Sequence, residues 1–356
     1  MTAPCYECGD KSVIDGLCAE CYRRAHPLVE VRSPLKLLAC KRCGSVKVPG
    51  GWKTIPEHPP DSEELIERQI AILLQQEVKL NADDVQIEYS EEKILDRVRH
   101  ILVVASGSSD SSLAEHSESY PVEVRFSYAT CDTCAMMSGG YYEATLQIRA
   151  DERSITDKEA DEIVSVVTDL TVAKYGKDAK AFVTEVSRDR YGLDFKIGSE
   201  HLCKRIADDL QQRYLAQRKE NYKLIGEDKG GKKKYRITIL IRLQRFTLGD
   251  FLRIESAPCQ VTAMGRGGLS CYNLKDGNRF TINPKSARWR TIEFIAPESD
   301  KRQFMVVSNL PNQPVQIMDS ESFEMHEIDK QDLTIDVSNG DTAFGLYLDN
   351  RVFLLP

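Results

Sequence analysis

Four Cys-x-x-Cys pairs are the residues of this sequence best suited to chemistry. They account for eight of the eleven cysteines in a chain of 356 residues. Thiolates with two residues between them on a tight turn supply two neighbouring corners of the tetrahedral shell that Zn²⁺ prefers, so two pairs complete one site. The sequence therefore predicts two Zn²⁺ sites, each with four cysteines, formed by Cys5, Cys8, Cys18, Cys21, Cys40, Cys43, Cys131 and Cys134.

The order of the pairs along the chain favours a sequential grouping. The first site then joins the pairs at Cys5 and Cys18 through a short hairpin, and the second joins the pair at Cys40 to the distant pair at Cys131. A crossed pairing stays open. A lone pair would suit a redox dithiol, but four pairs without a thioredoxin-like unit favour metal binding. Four protein ligands leave no position for water, so both sites are expected to be structural.

The remaining composition is typical of a chain that works in a reducing compartment. No apolar stretch approaches the ~20 residues needed to span a bilayer. The first twenty residues are polar and already contain paired cysteines, which argues against a secretory signal. A cytoplasmic location is expected, where structural disulfides are rare. The three other cysteines, Cys203, Cys259 and Cys271, are expected to be small buried apolar residues.

Charge is segregated along the chain, although its net value is only −7. Residues 229–291 hold 14 Lys and Arg against 3 Asp and Glu, a net charge of +11. Residues 54–120 hold 5 against 15, a net charge of −10. A strongly basic segment in an acidic protein is a candidate surface for a polyanion, and basic residues along strands favour the ribose-phosphate backbone of RNA.

The candidate RNA-binding residues lie in this basic segment. Its lysine-rich turn at 229–234 joins two predicted strands and would project as a basic finger, although a solvated tip that guards an edge strand explains it equally well. Cations near the cysteine pairs, beside Trp52, offer a further contact, but Trp52 is expected to pack locally. The predicted set is Lys229, Lys232, Lys233, Lys234, Arg236, Arg253, Arg266, Lys275, Arg279, Lys285, Arg288 and Arg290.

Hydrophobic spacing predicts a helical insertion at 54–120 within the cysteine-bearing region. Pro59-Pro60 would precede a first helix that is capped at Asp61-Ser62-Glu63-Glu64, and its apolar residues recur at helical spacing as far as Val78. Ser90 would begin a second helix. Its apolar side would carry Ile94, Leu95, Val98, Ile101 and Leu102. Strands at 45–48 and 122–128 would bring the two distant cysteine pairs together.

Strand and helix patterns alternate from residue 142 to residue 246 in the order β-α-β-β-α-β, with Thr156 and Ser199 as helix caps. This order is typical of a two-layer α/β domain of the split-βαβ kind. After it, short strands between Gly, Asn and Pro turns indicate small β-barrels. The expected fold is multidomain α+β. Its expected domains are a double zinc-ribbon domain with the helical insertion (1–141), the two-layer α/β domain (142–246), an SH3-like barrel (247–290) and an OB-like barrel (291–356).

Motifs of known enzymes are missing from the sequence. The six histidines form no metal or triad pattern, and no HExxH, GxSxG or P-loop motif is present. The chain is therefore expected to be a binding protein without a small-molecule substrate or a membrane partner.

The cysteine framework and the order of elements after it resemble a known family. The four pairs, with Cys40-Lys-Arg-Cys43 leading to Trp52 and Cys131-Asp-Thr-Cys134 preceding a strand, resemble the large-ribosomal-subunit export adaptor family, nonsense-mediated mRNA decay protein 3, over nearly the whole chain. The C-terminal half separately resembles translation factor five-A and elongation factor P. This second likeness lies in Phe246-Thr-Leu-Gly-Asp250-Phe-Leu-Arg-Ile and in Val315-Gln-Ile-Met-Asp319-Ser-Glu-Ser-Phe323.

The resemblance implies a factor without enzymatic activity that binds the joining face of the large ribosomal subunit, including its rRNA, late in assembly. By analogy the barrels would lie near the tRNA exit site and contact the ribosomal stalk protein there. The zinc domain would reach toward the anti-association factor and the sarcin–ricin region.

Two departures limit what the resemblance implies. The chain stops at Leu354-Leu355-Pro356, as in the short archaeal members, so the nuclear export of the eukaryotic members is not expected. The loop from Met264 to Gly268 offers Arg266 where the translation factors carry a modified lysine, so stimulation of peptide-bond formation is not expected either.

Two other functions stay open at this point. One is a zinc-ribbon protein that binds free nucleic acid in transcription or mRNA translation. The other is a zinc-dependent enzyme with an open metal position. Binding to purified ribosomal subunits separates the first from the assembly factor, and the coordination of the metal tests the second.

Overall fold

The computed structural model describes residues 3–56, 62–95, 97–227 and 230–356. Over these ranges the chain has a mixed α+β fold, as predicted, and it divides into two compact units. No helix in the described ranges is both long and apolar enough to cross a membrane.

The first unit comprises Met1–Tyr141 and Tyr175–Lys180. Its helices are α1 (Ala19–Ala25), α2 (Glu63–Glu77) and α3 (Asp132–Ser138). Its strands are β1 (Val29–Glu30), β2 (Leu35–Cys40), β3 (Val46–Val48), β4 (Gly51–Lys53), β5 (Lys79–Leu80), β6 (Gln86–Leu95), β7 (Val98–Gly107) and β8 (His116–Ala129).

A six-stranded sheet in the order β4-β3-β2-β8-β7-β6 forms the centre of this unit, and β1 pairs separately with β5. β2 runs parallel to β8, whereas the other neighbours in the large sheet are antiparallel. Helix α2 packs on this sheet through Leu65, Ile70 and Leu73, which are buried with Leu37 and Val124.

The first predicted helix is confirmed as α2. Ser62 is its N-cap, and the Ser62 hydroxyl accepts the N–H of Leu65 at 3.2 Å. Pro59-Pro60 and Asp61, which the sequence placed before the helix, lie outside the described residues.

The second predicted helix is wrong, because β6 and β7 form an antiparallel hairpin there. Burial alternates along β7, so every second residue faces the core, as Ile101 and Val103 do. Ile94 and Leu95, which were expected on an apolar helix face, are 58% and 46% exposed. Branched Ile and Val residues pack well on a pleated surface, and this preference outweighs the helical spacing.

The second unit comprises Tyr142–Lys174 and Ala181–Pro356, and it begins with a two-layer α/β domain. Its helices are α4 (Asp157–Val172) and α5 (Glu200–Arg213). Its strands are β9 (Ala144–Ala150), β10 (Val183–Asp189), β11 (Gly192–Ile197), β12 (Gln217–Glu227) and β13 (Lys233–Leu243).

The sheet of this domain has the order β10-β11-β9-β13-β12. β11 is antiparallel to both β9 and β10, which is the predicted split-βαβ arrangement. β13 pairs in parallel with β9, and β12 forms the outer edge. Helices α4 and α5 pack on one face and enclose the apolar core, and Thr156 and Ser199 cap them as predicted.

Two five-stranded antiparallel sheets complete the second unit. The first contains β14 (Phe251–Ile254), β15 (Ala257–Gly265), β16 (Gly268–Asn273), β17 (Arg279–Ile282) and β18 (Glu293–Ala296). The second contains β19 (Arg302–Ser308), β20 (Val315–Asp319), β21 (Met325–Ile328), β22 (Thr342–Leu348) and β23 (Arg351–Leu354). Short 3₁₀ turns lie at Ala287–Thr291, Glu298–Asp300 and Lys330–Asp332.

The last sheet is nearly closed into a barrel, since its two outer strands β21 and β23 lie beside each other. The preceding sheet extends beyond the predicted limit at residue 290, because β18 pairs with β14. Cys259 and Cys271 are fully buried in the core of that sheet, and Cys203 is fully buried on α5, as expected for small apolar residues.

Candidate metal centres and nucleic-acid interface

The eight paired cysteines come together in two groups of four. The first group is Cys5, Cys8, Cys18 and Cys21, and the second is Cys40, Cys43, Cys131 and Cys134. Within each group all four sulfur atoms lie within 4.8 Å of one another. Sulfur atoms bound at about 2.3 Å in a tetrahedron are about 3.8 Å apart, so each group has the size of a four-cysteine metal site. The grouping is the sequential one.

Each group begins with a tight turn that presents two cysteines. In the second group the N–H of Cys40 donates to the carbonyl of Ser45 at 2.7 Å, and the N–H of Gly44 donates to the carbonyl of Cys40 at 2.8 Å. Gly44 has a φ of +71°, a left-handed conformation that disfavours residues with a Cβ. The same two bonds recur in the first group, from Cys5 to Asp10 at 2.6 Å and from Gly9 to Cys5 at 2.9 Å.

Each group ends on the first turn of a short helix. Cys18 is the N-cap of α1 and Cys131 is the N-cap of α3. Their sulfur atoms accept the N–H of Cys21 at 3.5 Å and of Cys134 at 3.4 Å. The aligned peptide dipoles at a helix start favour negative charge, so these positions suit a thiolate.

The parallel pair of β2 and β8 brings the two halves of the second group together. Cys40 at the end of β2 lies opposite Ala129 at the end of β8, and Cys131 follows two residues later. The N–H of Cys131 donates to the Cys40 sulfur at 3.4 Å, and the Cys131 and Cys43 sulfurs are 3.6 Å apart. The predicted strand at 45–48 forms as β3, but it pairs with β2 and β4 and not with β8. The alternating apolar residues of Leu35–Cys40 were the signal that sequence reasoning missed.

Backbone amides favour one thiolate in each group. Burial disfavours ionisation of Cys40, but the N–H groups of Cys131, Cys43 and Arg42 are directed at its sulfur and lower the pKa of Cys40 to about 6. Burial is outweighed in the same way in the first group, where backbone N–H groups lower the pKa of Cys5 to about 6.

Three other buried thiols of the groups have a raised pKa. Burial raises the pKa of Cys131 to about 11, and the sulfurs of Cys43 and Cys40 add to that rise. Burial and the neighbouring sulfurs also raise the pKa of Cys21 and Cys134. Four thiolates in one cluster repel each other, so they form together when a cation lies among them. This donor set fits a soft or borderline divalent metal ion.

Residues 175–180 contact the second group, and sequence reasoning did not identify them. The Thr133 hydroxyl on α3 donates to the carbonyl of Ala179 at 3.0 Å. Burial raises the pKa of Tyr175 to about 12, and the negative charge of Cys43 and Cys134 adds to the rise. Tyr175 thus keeps its proton as a donor beside the sulfur atoms. It lies 41 residues beyond Cys134, and no motif marks it.

Cations close to the second group are held by protein groups. Trp52 packs against the cysteine cluster, as expected for a local packing residue. The ammonium group of Lys47 lies 5.4 Å from the centre of the Trp52 ring. Arg42 donates to the hydroxyl of Ser138 at the end of α3. These cations lie where they offset part of the negative charge of four thiolates.

The predicted basic finger is the hairpin of β12 and β13. Lys229 lies outside the described residues. Lys233 and Lys234 are exposed at the start of β13, directly after Lys232 in the turn. Arg236 is half-buried, because its guanidinium stacks 3.8 Å from the centre of the Tyr142 ring and donates to the Tyr142 hydroxyl at 3.0 Å.

Four of the seven predicted cations in the first five-stranded barrel sheet and its loops bind other groups of the protein. These contacts are Arg253–Asp349, Arg266–Asp209 and Arg288–Glu255, each at 3.0 Å, and Lys275 with the carbonyl of Ser256 at 3.4 Å. Arg279, Lys285 and Arg290 are exposed and make no ion pair in the described part of the chain. An anion can therefore reach these three without breaking an ion pair.

Comparison with known proteins identifies two domains in this sequence. Residues 5–139, which hold both cysteine groups, match the N-terminal domain of NMD3, and residues 141–243 match the second domain of NMD3. No curated protein matches the sequence. Among solved structures, eukaryotic translation initiation factor 5A from Methanococcus jannaschii is similar at 17% identity over 31% of this chain and 88% of its own. Its TM-score of 0.21 is too low to compare the folds. Because the two matched domains follow each other over residues 5–243, the chain belongs to the NMD3 family.

Proposed function

We propose that this chain is a ribosome assembly factor that binds the large ribosomal subunit, both its rRNA and its proteins, at the subunit-joining face near the tRNA exit site during late maturation. Membership of the NMD3 family carries the proposal, because that family has a ribosome-related function. NMD3 is not a known enzyme family, and we extend this to the present chain as a binding protein.

The partners of this proposal follow from the same family. They are the large subunit, the ribosomal stalk protein near the exit site and, as a second protein candidate, the anti-association factor. A cytoplasmic location fits such partners. The exposed cations Lys233, Lys234, Arg279, Lys285 and Arg290 support contact with rRNA, because they make no ion pair within the described residues.

Zn²⁺ is the ion that we propose for both cysteine groups. Thiolate ligands in a tetrahedral set of four suit Zn²⁺, which has no redox chemistry of its own. Four protein ligands also leave no place for a catalytic water, so each ion would stabilise the fold. Metal analysis of the purified chain tests this assignment. Two Zn²⁺ per chain are expected, and a content below one, or a water-exchangeable ligand on either ion, would contradict it.

Sedimentation with purified ribosomal subunits tests the main proposal. The chain should move with the large subunit and not with the small subunit in a sucrose gradient. An excess of unstructured mRNA serves as competitor, since a zinc-ribbon protein for free nucleic acid would leave the subunit for the mRNA. Movement with neither subunit would refute the proposal.

A further inference from the structure

The five-stranded sheet of the second unit has two unlike faces. Helices α4 and α5 cover one face, where the apolar core lies. Successive side chains of a strand point to opposite faces, so the alternate residues of each strand form the face opposite the helices. That face, called here the open sheet face, includes six cations between the ends of the sheet: Arg149, Lys196, Lys219, Lys223, Arg236 and Arg242.

Three of the six cations are already paired with carboxylates. The carboxylates of Asp194 and Glu185 lie 2.7 Å from Arg149 and Lys196, respectively. Arg242 lies 3.6 Å from Asp151 at the end of the sheet. Lys219, Lys223 and Arg236 make no ion pair within the described residues, so the face keeps an excess of positive charge.

Arg236 is held in place by an aromatic ring. Its guanidinium stacks on Tyr142 and donates to the Tyr142 hydroxyl, and Lys196 lies 5.3 Å from the centre of the same ring. Lys223 lies directly opposite Arg236 across β12 and β13, so these two cations are neighbours on the face. A guanidinium held by stacking loses less conformational entropy when it binds an anion.

The edge strand β12 carries the other two unpaired cations. Lys219 and Lys223 are exposed and four residues apart, which is about 14 Å along a strand. Between them Asn221 lies opposite Thr238 on β13, so an amide and a hydroxyl stand between the charges. Lys234 lies two residues before Arg236 on β13, and the basic finger therefore continues into the open sheet face.

We infer that the open sheet face binds the ribose-phosphate backbone of large-subunit RNA. The inference rests on the proposed function and names the surface that would make the contact. Cations with hydroxyl and amide groups between them suit phosphate and sugar oxygens. A protein partner is disfavoured, since the centre of a protein interface is apolar and depleted of lysine.

Neutralising the two exposed lysines of β12 tests this inference. The variant Lys219→Gln/Lys223→Gln removes two charges from the open sheet face. Its matched control, Lys158→Gln/Arg205→Gln, removes two exposed charges from α4 and α5 on the opposite face. All four residues are exposed, so both variants should melt like the wild type.

The probe is RNA extracted from purified large subunits, and the measurement is its dissociation constant from about 50 to about 200 mM salt. Each lost phosphate contact reduces the slope of log K against log salt by about 0.7 to 0.9. The β12 variant should therefore lose about 1.4 to 1.8 from this slope, and the control should keep the wild-type slope. Arg236→Lys, which keeps the charge but loses the stack, should weaken binding without changing the slope.

The possible outcomes separate the two proposals. Equal losses in both double variants, or no loss in either, would overturn the open sheet face as an RNA site while the wild type still sediments with the large subunit. Binding of polyglutamate that depends on the same lysines would assign the face to an acidic protein instead, and would overturn the inference. A wild-type chain that binds neither this RNA nor the subunit would refute the proposed function as well.

Discussion

The two cysteine groups use the same local geometry in different chain contexts. Both combine a tight turn with a cysteine at a helix N-cap. The first group is closed within residues 5–21, and among the described residues its buried cluster adds Leu17 and Tyr22 to three of its own cysteines. The second group joins residues 40–43 to residues 131–134 at the end of a six-stranded sheet with a large core. The same ligand set thus stabilises a short segment in the first group and joins the ends of two strands that are distant in sequence in the second.

The largest expected effect comes from breaking the second group. Cys131→Ser removes one ligand, and the free energy of a structural Zn²⁺ site, about 10–16 kcal/mol, is comparable with the whole stability of a domain. We expect the first unit to unfold and the two barrel sheets to remain folded. Limited proteolysis with mass spectrometry measures this, and an intact 35–129 region in the variant would contradict it.

A smaller and more local loss is expected from the first group. Cys18→Ser should release one metal ion and unfold residues 3–26 alone, because the β2–β8 sheet has its own core. Hydrogen exchange should show lost protection before β1 and native protection in β7 and β8. Loss of protection throughout the first unit would contradict the prediction, because the first group would then stabilise distant strands as the second group does.

The two turn glycines provide a matched pair of substitutions. Gly9 and Gly44 both have positive φ, so Ala costs about 1–2 kcal/mol at either position. A Cβ at Gly44 would lie 2.6 Å from a methyl carbon of the buried Leu65, whereas nothing lies within 4 Å of one at Gly9. Gly44→Ala should therefore cost about 1–3 kcal/mol more.

Chemical denaturation of both glycine variants, with metal bound, measures this difference. Gly44→Ala should cost less in a Leu65→Ala background than in the wild type, because the atoms that clash are absent there. Equal losses for the two glycine variants would show that Leu65 moves aside freely.

A comparably small effect is expected from a single hydrogen bond at the turn of the second group. The buried amide of Gln69 on α2 donates to the carbonyl of Gly44 at 2.8 Å. Gln69→Leu leaves that carbonyl without this donor, which should cost about 1–3 kcal/mol. The melting temperature should fall while the metal content stays at the wild-type value. Loss of metal from this variant would mean that Gln69 holds the ligand turn itself.

The cysteine groups could be predicted because their residue type is rare and their spacing is regular. The split-βαβ order and α2 were also accessible, since their periodic patterns are long. The hairpin of β6 and β7 was missed because Ile94, Val98 and Ile101 fit a helical spacing as well as a strand. Tyr175 gave no signal, because only the tertiary fold brings it to Cys43.

Charge counts along the sequence gave an incomplete account of the basic surface. They cannot show that a distant residue such as Asp349 pairs with Arg253. They also gave no indication of Lys219 and Lys223, because these residues belong to residues 121–228, where Asp and Glu outnumber Lys and Arg. Only the pairing of β12 with β13 places Lys223 opposite Arg236 and Lys219 on the same face of the sheet.

The parallel pairing of β2 with β8 has a consequence for the order of events during synthesis. Cys43 and Cys131 are 88 residues apart, which takes roughly 4–18 s at about 5–20 residues per second. During that time the nascent chain already contains all four cysteines of the first group and only half of the second. Closing the shorter loop is entropically favoured, so the four cysteines of residues 5–21 bind an ion in preference to a set that includes Cys40 and Cys43. Loop length thus favours the sequential grouping over a crossed one during the interval before Cys131 and Cys134 are made.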